Sequence, residues 1–253
     1  MEPDGDVRHI EPVMGTIVGI RSPEPLSTKA VELAVAVLHE ADRVFSVWIP
    51  DSPMSRLRSG RTALGDLESV DAATIRAVLE RCELARELSG GAFDPWSLPG
   101  GVNPTGLVKG WAVERARDVL LDLGHETVMV NGGGDIAVAG RPRGHPWRVG
   151  IRHPAQPTQL AAVIEVKAAV ATSGNYERPG ELLDPTTGRT TRGVASATVT
   201  GPRLDLVDAL ATALAVRGAP LLDAIAALPG HGAYVISDEG RHYASGSMAF
   251  AAP

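Results

Sequence analysis

Cysteine is almost absent: Cys82 stands alone in 253 residues. Intramolecular disulfides and cysteine-based zinc sites are excluded, and Cys82 reads as a small buried apolar group. Lysine is nearly as scarce, with Lys29, Lys109 and Lys167 the only ones among 24 basic residues. The net charge is −6 and no basic stripe occurs, so a nucleic-acid partner is not expected. No apolar run reaches the roughly 18 residues that a membrane span needs. The acidic start Met1-Glu2-Pro3-Asp4-Gly5-Asp6 has neither the charged nor the apolar region of a signal peptide, so a cytoplasmic setting is expected. Internal repeats and low-complexity segments are missing too. So are a Walker A loop, HxxH and HxxxH spacings and the Gly-x-Ser-x-Gly elbow.

What is present is an ordinary globular composition, 44% hydrophobic and 21% charged. Frequent Pro and Gly predict short elements and many turns. Ser27 is placed to cap a helix over 28–42, with Val31, Ala34, Val35 and Leu38 on one face. A second helix starts near Ser69 or Asp71, carries Ile75, Val78, Leu79 and Cys82 at helical spacing, and stops at Ser89-Gly90-Gly91. A third covers 106–123 with Ala112, Ala116, Val119, Leu120 and Leu123 inward. A fourth covers 204–217 and a short fifth 220–228. Strands are expected at 10–21, 127–131, 135–140, 147–151, 161–166, 193–200, 233–237 and 242–250. Several strand pairs lack an intervening helix. That predicts an α+β fold with mainly antiparallel sheets and flanking helices, not a doubly wound parallel sheet.

Four segments carry candidate chemistry. A strand runs into Asn131-Gly132-Gly133-Gly134-Asp135, which reads equally as a tight hairpin or as a backbone cradle for an anion. A strand, not a helix, follows it, so the pattern does not fit a Rossmann fingerprint. Lys109 falls in the first turn of the third helix, where the dipole disfavours a cation. It is a solvated lysine, or it faces an anion held at the helix start. Asp205, Asp208 and Thr212 share one helical face. They form either a plain polar face or an oxygen-ligand site for a hard cation such as Mg²⁺. Two aromatic loop segments, Phe45-Ser46-Val47-Trp48 and Gly91-Ala92-Phe93-Asp94-Pro95, either anchor loops on the core or stack on a flat ligand.

In order along nearly the whole chain, these segments resemble the ApbE family, the FAD:protein FMN transferases. Met14-Gly15-Thr16 is similar to the family's Met-Gly-Thr strand. Phe45-Ser46-Val47-Trp48-Ile49-Pro50-Asp51-Ser52, with Ser55-Arg56-Leu57, resembles its Phe-Ser-x-Tyr-x-Pro-x-Ser…Ser-x-Leu segment. Gly91 to Pro95, Lys109 to Glu114, Asn131 to Asp135, Thr172 to Tyr176, Asp184 to Gly188 and Asp208 to Leu214 match in turn.

The resemblance implies a single flavin transferase domain over residues 1–253, with an ApbE-like, T-fold-like architecture of two subdomains. It implies a Mg²⁺-dependent enzyme that splits the FAD pyrophosphate, moves FMN onto a Thr or Ser hydroxyl of an acceptor protein and releases AMP. Alternatives within the resemblance are an FAD pyrophosphatase giving FMN and AMP, and a non-catalytic FAD-binding protein. Carried over, Asp208 and Thr212 hold the metal by side chains, Gly106 and Ala211 by carbonyls. Met14, Trp48, Ala92, Phe93, Asp94, Asn103 and Lys109 contact FAD. Asp208 and Glu181 are the catalytic candidates. Three positions depart from the family pattern. Trp48 replaces a usual Tyr, and Asn103 a usual Asp. Glu181 occupies the place of a His thought to assist proton transfer at the acceptor hydroxyl. With the Met-Gly-Thr strand opening at Met14, no room for a lipoprotein leader is expected.

Overall fold

The structure, a computed structural model, describes residues 7–97, 99–174 and 182–251. Eleven strands and six α-helices run in the order β1 (Val7–Val13), β2 (Thr16–Ser22), α1 (Thr28–Phe45), α2 (Pro53–Arg58), α3 (Ser69–Leu88) and α4 (Thr105–Asp122). They continue with β3 (Val128–Gly132), β4 (Asp135–Ala139), β5 (Trp147–His153), β6 (Gln156–Val166), β7 (Ala169–Ser173) and β8 (Val194–Gly201). The chain then forms α5 (Leu204–Arg217), α6 (Leu222–Ala226), β9 (Gly232–Ser237), β10 (His242–Gly246) and β11 (Ala249–Phe250). These counts are of the described residues.

Eight strands form one sheet in the order β1-β2-β3-β4-β7-β8-β9-β10, and β11-β6-β5 form a second. Every pairing among the described strands is antiparallel, as the α+β reading predicts. The central strands of the large sheet are apolar on both faces, because each face is covered. Val128, Val130, Ala137, Ala169, Ala171, Ala233 and Val235 point to the helices. Their neighbours Met129, Ile136, Val138, Val170, Tyr234 and Ile236 point to the small sheet, where they meet Trp147, Ile151, Ile164 and Val166. The period of two thus sorts alternate residues into two cores. Alanine on the helix side lets α4 and α5 lie close to the sheet. Helix α1 packs on α4, and α3 packs on α5.

The predicted helices form, and Ser27 caps α1 by accepting from the Ala30 N–H at 3.1 Å. Leu123, expected inward, is 45% exposed, because the helix ends at Asp122 and the chain turns at Gly124. The single strand expected at 10–21 is a hairpin. Met14 and Gly15 both take positive φ, 54° and 67°, the backbone that a two-residue hairpin turn requires. The strand expected at 242–250 breaks after Gly246, whose φ is 77°, and its two pieces join different sheets. A Cβ at Gly246 would lie 2.6 Å from the His231 carbonyl oxygen, so this crossing needs glycine. Two elements are additional to the sequence reading. Helix α2 is short and capped by Ser52 with Pro53 at its first position. Strand β7 has only three apolar residues, Ala169 to Ala171, followed by Thr172 and Ser173, too short a run for periodicity to separate from a helix. Among the described residues, no helix is long and apolar enough to cross a membrane.

Candidate active site

A cavity of about 930 Å³ opens where the β1–β2 turn, the end of α1, the start of α4, the β3–β4 turn and α5 meet. Its walls carry Met14, Trp48, Ala92, Phe93, Asp94, Asn103, Gly106, Lys109, Asp208 and Thr212, brought together from positions up to 198 residues apart. Ala211, also expected at the site, is fully buried inside α5 and is not part of the cavity wall. Glu181 lies outside the described residues.

The first wall is the aromatic segment after α1. The Ser46 carbonyl accepts hydroxyl hydrogen bonds from Ser52 at 2.5 Å and Ser55 at 3.0 Å. Those serines therefore tie the loop back on itself and present Trp48, which is 68% exposed at the cavity edge. Phe45 meets Trp111 edge to face at 5.5 Å, linking this segment to α4. The two aromatic loops thus do different things: Phe93 is buried as an anchor, and Trp48 offers a free ring face.

The second wall is built by close helix packing. At Gly110 a Cβ would lie 2.5 Å from the Leu204 carbonyl oxygen and 2.8 Å from Asp208 Cβ, so only glycine lets α4 and α5 approach this far. The Gly110 N–H donates to Asp208 Oδ2 at 2.9 Å. Asp208 is 3% exposed, and Thr212 follows one turn later with its Oγ1 3.3 Å from Ser173 Oγ. Gly106 faces them: a Cβ there would lie 3.5 Å from Thr212 Oγ1 and 3.2 Å from the Phe93 ring. Burial raises the Asp208 carboxyl above its ordinary value; nearby Lys109 and the Gly110 N–H oppose that rise, and Asp205 adds to it.

The shared face of Asp205, Asp208 and Thr212 divides. Asp205 is fully buried and pairs with Arg81 and Arg203, away from the cavity wall. The physical reason is that α5 is apolar nearly all round and sits between the sheet and two helices, so it has no solvated face. A carboxylate there must be paired, and Arg81 and Arg203 supply the partners.

Lys109 lines the cavity and forms an ion pair with Asp135, whose carboxylate is 1% exposed. The triple glycine is the turn of the β3–β4 hairpin, with Gly133 at φ 66° and Gly134 at φ 105°. Gly132 and Gly133 also face the cavity, so the segment is a turn and part of the wall together. Asp94 is committed to its loop: Oδ1 accepts from the N–H groups of Trp96 and Ser97, and Oδ2 from Arg86 at 3.1 Å. Asn103 Oδ1 accepts from the Thr105 N–H at 3.2 Å, capping the first turn of α4. Among the cavity residues that carried no expectation are Asp42, Arg152, Pro154, Leu182 and Leu183. None belongs to a recognisable spacing, and Arg152 and Pro154 reach the cavity only through the fold of the β5–β6 hairpin.

Among the described residues, no three His, Cys, Asp or Glu side chains gather in a way that would hold a metal. A hard cation is therefore limited here to one carboxylate and neutral oxygens. Asp208, Thr212, Ser173 and the backbone at Gly106 supply that chemistry, and it suits Mg²⁺, which keeps several waters and uses one or two carboxylates.

A model of the ApbE family matches residues 14–101 and 97–235. An FAD:protein FMN transferase of Rhodobacter capsulatus is 37% identical over 150 residues, covering 55% of this chain and 29% of that protein. One of Vibrio cholerae serotype O1 is 38% identical over 124 residues, covering 44% of this chain and 37% of that protein. The matched stretch is thus well under half the length of these curated relatives. The solved flavin transferase ApbE from Vibrio cholerae superposes with a TM-score of 0.80 at 25% identity, covering 96% of this chain and 98% of that one. The ApbE protein of Thermotoga maritima superposes at 0.81 with 23% identity, over 95% of this chain and 97% of that one. By the family match, which takes in the cavity walls from Met14 to Thr212, the chain belongs to the ApbE family.

Proposed function

We propose that this chain is a Mg²⁺-dependent FAD:protein FMN transferase forming one flavin transferase domain. The observation that carries the reading is the convergence of Met14, Trp48, Phe93, Asn103, Lys109, Asp208 and Thr212 on a single cavity of about 930 Å³. That volume lies in the upper range of cofactor pockets. The names of the curated relatives and of the Vibrio cholerae structure support it.

In this reading Trp48 stacks on a flat ring of FAD, and the start of α4 receives the phosphates with Lys109 beside them. Asp135 holds the Lys109 ammonium in place. The Asn103 oxygen is taken by the Thr105 N–H, which leaves its amide nitrogen to donate to the ligand. Asp208, Thr212 and the Gly106 carbonyl, with Ser173 beside Thr212, would hold Mg²⁺. When bound, the cation neutralises charge on the pyrophosphate. The acceptor Thr or Ser oxygen attacks the FMN phosphorus, the P–O bond to AMP breaks, and Glu181 takes the hydroxyl proton. A cytoplasmic acceptor and enzyme belong to the same proposal, and cell fractionation reads that part directly.

The second reading is FAD hydrolysis with water as acceptor, favoured by Glu181 standing where the family carries His. A third is FAD binding without turnover. Incubation of the purified chain with FAD and Mg²⁺, with and without a domain bearing an acceptor Thr, separates them. Covalent flavin plus AMP is the expected outcome. Free FMN and AMP alone identify a pyrophosphatase, and intact bound FAD a binding protein.

A further inference from the structure

Arg152 is a cavity residue to which no role has been given, and its surroundings argue for one. It sits near the tip of the β5–β6 hairpin, and with Pro154 it forms the part of the cavity wall that the small sheet contributes. The pairing register breaks on both sides of it: Ile151 pairs with Ala162, Arg152 with Leu160 and His153 with Gln156. The extra residues lie on β6, at 161 and at 157–159, so β6 bulges while β5 runs on, and Arg152 sits where the regular ladder between the two strands ends. Ile151 is buried in the core between the sheets, so it anchors the strand immediately before the break.

The charges around the cavity single out Arg152. Lys109, the other basic side chain on the wall among the described residues, is already paired with Asp135. Asp94 on the wall is paired with Arg86, which lies outside it. No carboxylate among the described residues pairs with Arg152. A dinucleotide pyrophosphate brings two negative charges, and a planar guanidinium can meet phosphate oxygens with two parallel hydrogen bonds. We infer that Arg152 is a phosphate-contacting residue of the cavity, delivered by the hairpin and acting on the phosphate groups of the bound dinucleotide. The inference rests on the reading of the cavity as an FAD site.

The test is FAD binding in the presence of Mg²⁺, followed by quenching of tryptophan fluorescence, in Arg152→Gln, Arg152→Lys and Arg148→Gln. Arg148 is exposed on the same strand four residues earlier and is not on the cavity wall, so it carries the same charge without the contact. Arg152→Gln is expected to weaken FAD binding about tenfold, the loss of one charge-assisted hydrogen bond. Its affinity should also depend less steeply on salt, and its melting temperature should stay unchanged. Arg152→Lys recovers part of the loss, and Arg148→Gln binds like the parent. Equal weakening in Arg148→Gln and Arg152→Gln, or none in either, overturns the inference while leaving the FAD site standing. A parent chain that binds no FAD overturns the reading of the cavity, and the inference with it.

Discussion

Asp208 is held against α4 by the backbone of Gly110, whose N–H donates to its Oδ2 at 2.9 Å. Two features make this contact. Gly110 has no Cβ to meet Leu204 and Asp208, and Asp208 is buried at the crossing point of the two helices. Gly110→Ala therefore places a methyl group 2.5 Å from the Leu204 carbonyl oxygen, which is backbone and has little room to move. The expected cost is about 2 kcal/mol or more of stability, as for other overpacked sites. Urea denaturation reads it. Unchanged stability would mean that α4 and α5 are not packed this closely.

Asp208→Asn keeps the shape and the acceptor for Gly110 but removes the charge. Under the proposed function it lowers Mg²⁺-dependent AMP release by about a hundredfold or more, the scale seen when a charge stabilising the transition state is lost. FAD binding without Mg²⁺ is expected to survive, because Trp48 and the α4 start are untouched. Turnover equal to that of the parent would remove Asp208 from the cation site.

The Glu181 position admits a direct exchange. If the proton acceptor limits transfer, Glu181→His raises the yield of covalent flavin on an acceptor domain severalfold, with free FMN falling in proportion. Mass spectrometry of the acceptor and chromatography of the flavins measure both. A folded variant with no gain would assign the proton to another group.

How much was legible before the structure divides by physical cause. The helices with strong periodicity and caps were readable, as Ser27 before α1 illustrates, because those signals are local. Strand β7 was not readable, since only Ala169 to Ala171 are apolar, all three are buried on one face or the other, and so short a run shows no alternation. Lys109, Asp208 and Thr212 stood out by position and spacing, but it was the family resemblance that singled them out, with Met14, as site residues, and the structure puts all four on the cavity wall. Arg152, Asp42 and Leu182 were not, because only the packing of distant elements brings them there. Asp205 was misplaced for a related reason: helical spacing puts it beside Asp208, but spacing does not reveal that α5 is enclosed and that Arg81 claims the carboxylate.

Cys82 is buried in α3, and desolvation, with smaller contributions from Asp205 and Glu83, pushes its thiol up to about 12. Thiolate is the reactive form, so the native chain is expected to resist alkylation at mildly alkaline pH and to react with one equivalent of reagent once denatured. Iodoacetamide labelling followed by intact mass reads the difference. Rapid labelling of the native chain would place Cys82 at a mobile or exposed site.

Glu114 links the same helices from the other side, and its titration sets a pH dependence. Its Oε1 accepts from the Leu204 N–H at 3.1 Å, so a residue of α4 caps the start of α5. Burial is the main cause that raises its carboxyl, aided by the charge of Asp205. The Leu204 N–H, Arg117 and Arg203 oppose the rise. A raised folded value means that the native chain holds this proton more tightly than the unfolded chain does. Stability from this group is full below the ordinary value of 4.5 and falls as pH climbs from there through the raised folded value. Glu114→Gln keeps the acceptor for Leu204 and removes the titration. The melting temperature of the variant relative to the parent should therefore climb across that window and level off above it. Parallel melting curves at every pH would show that Glu114 is charged in both states and that Arg117 and Arg203 fully compensate its burial.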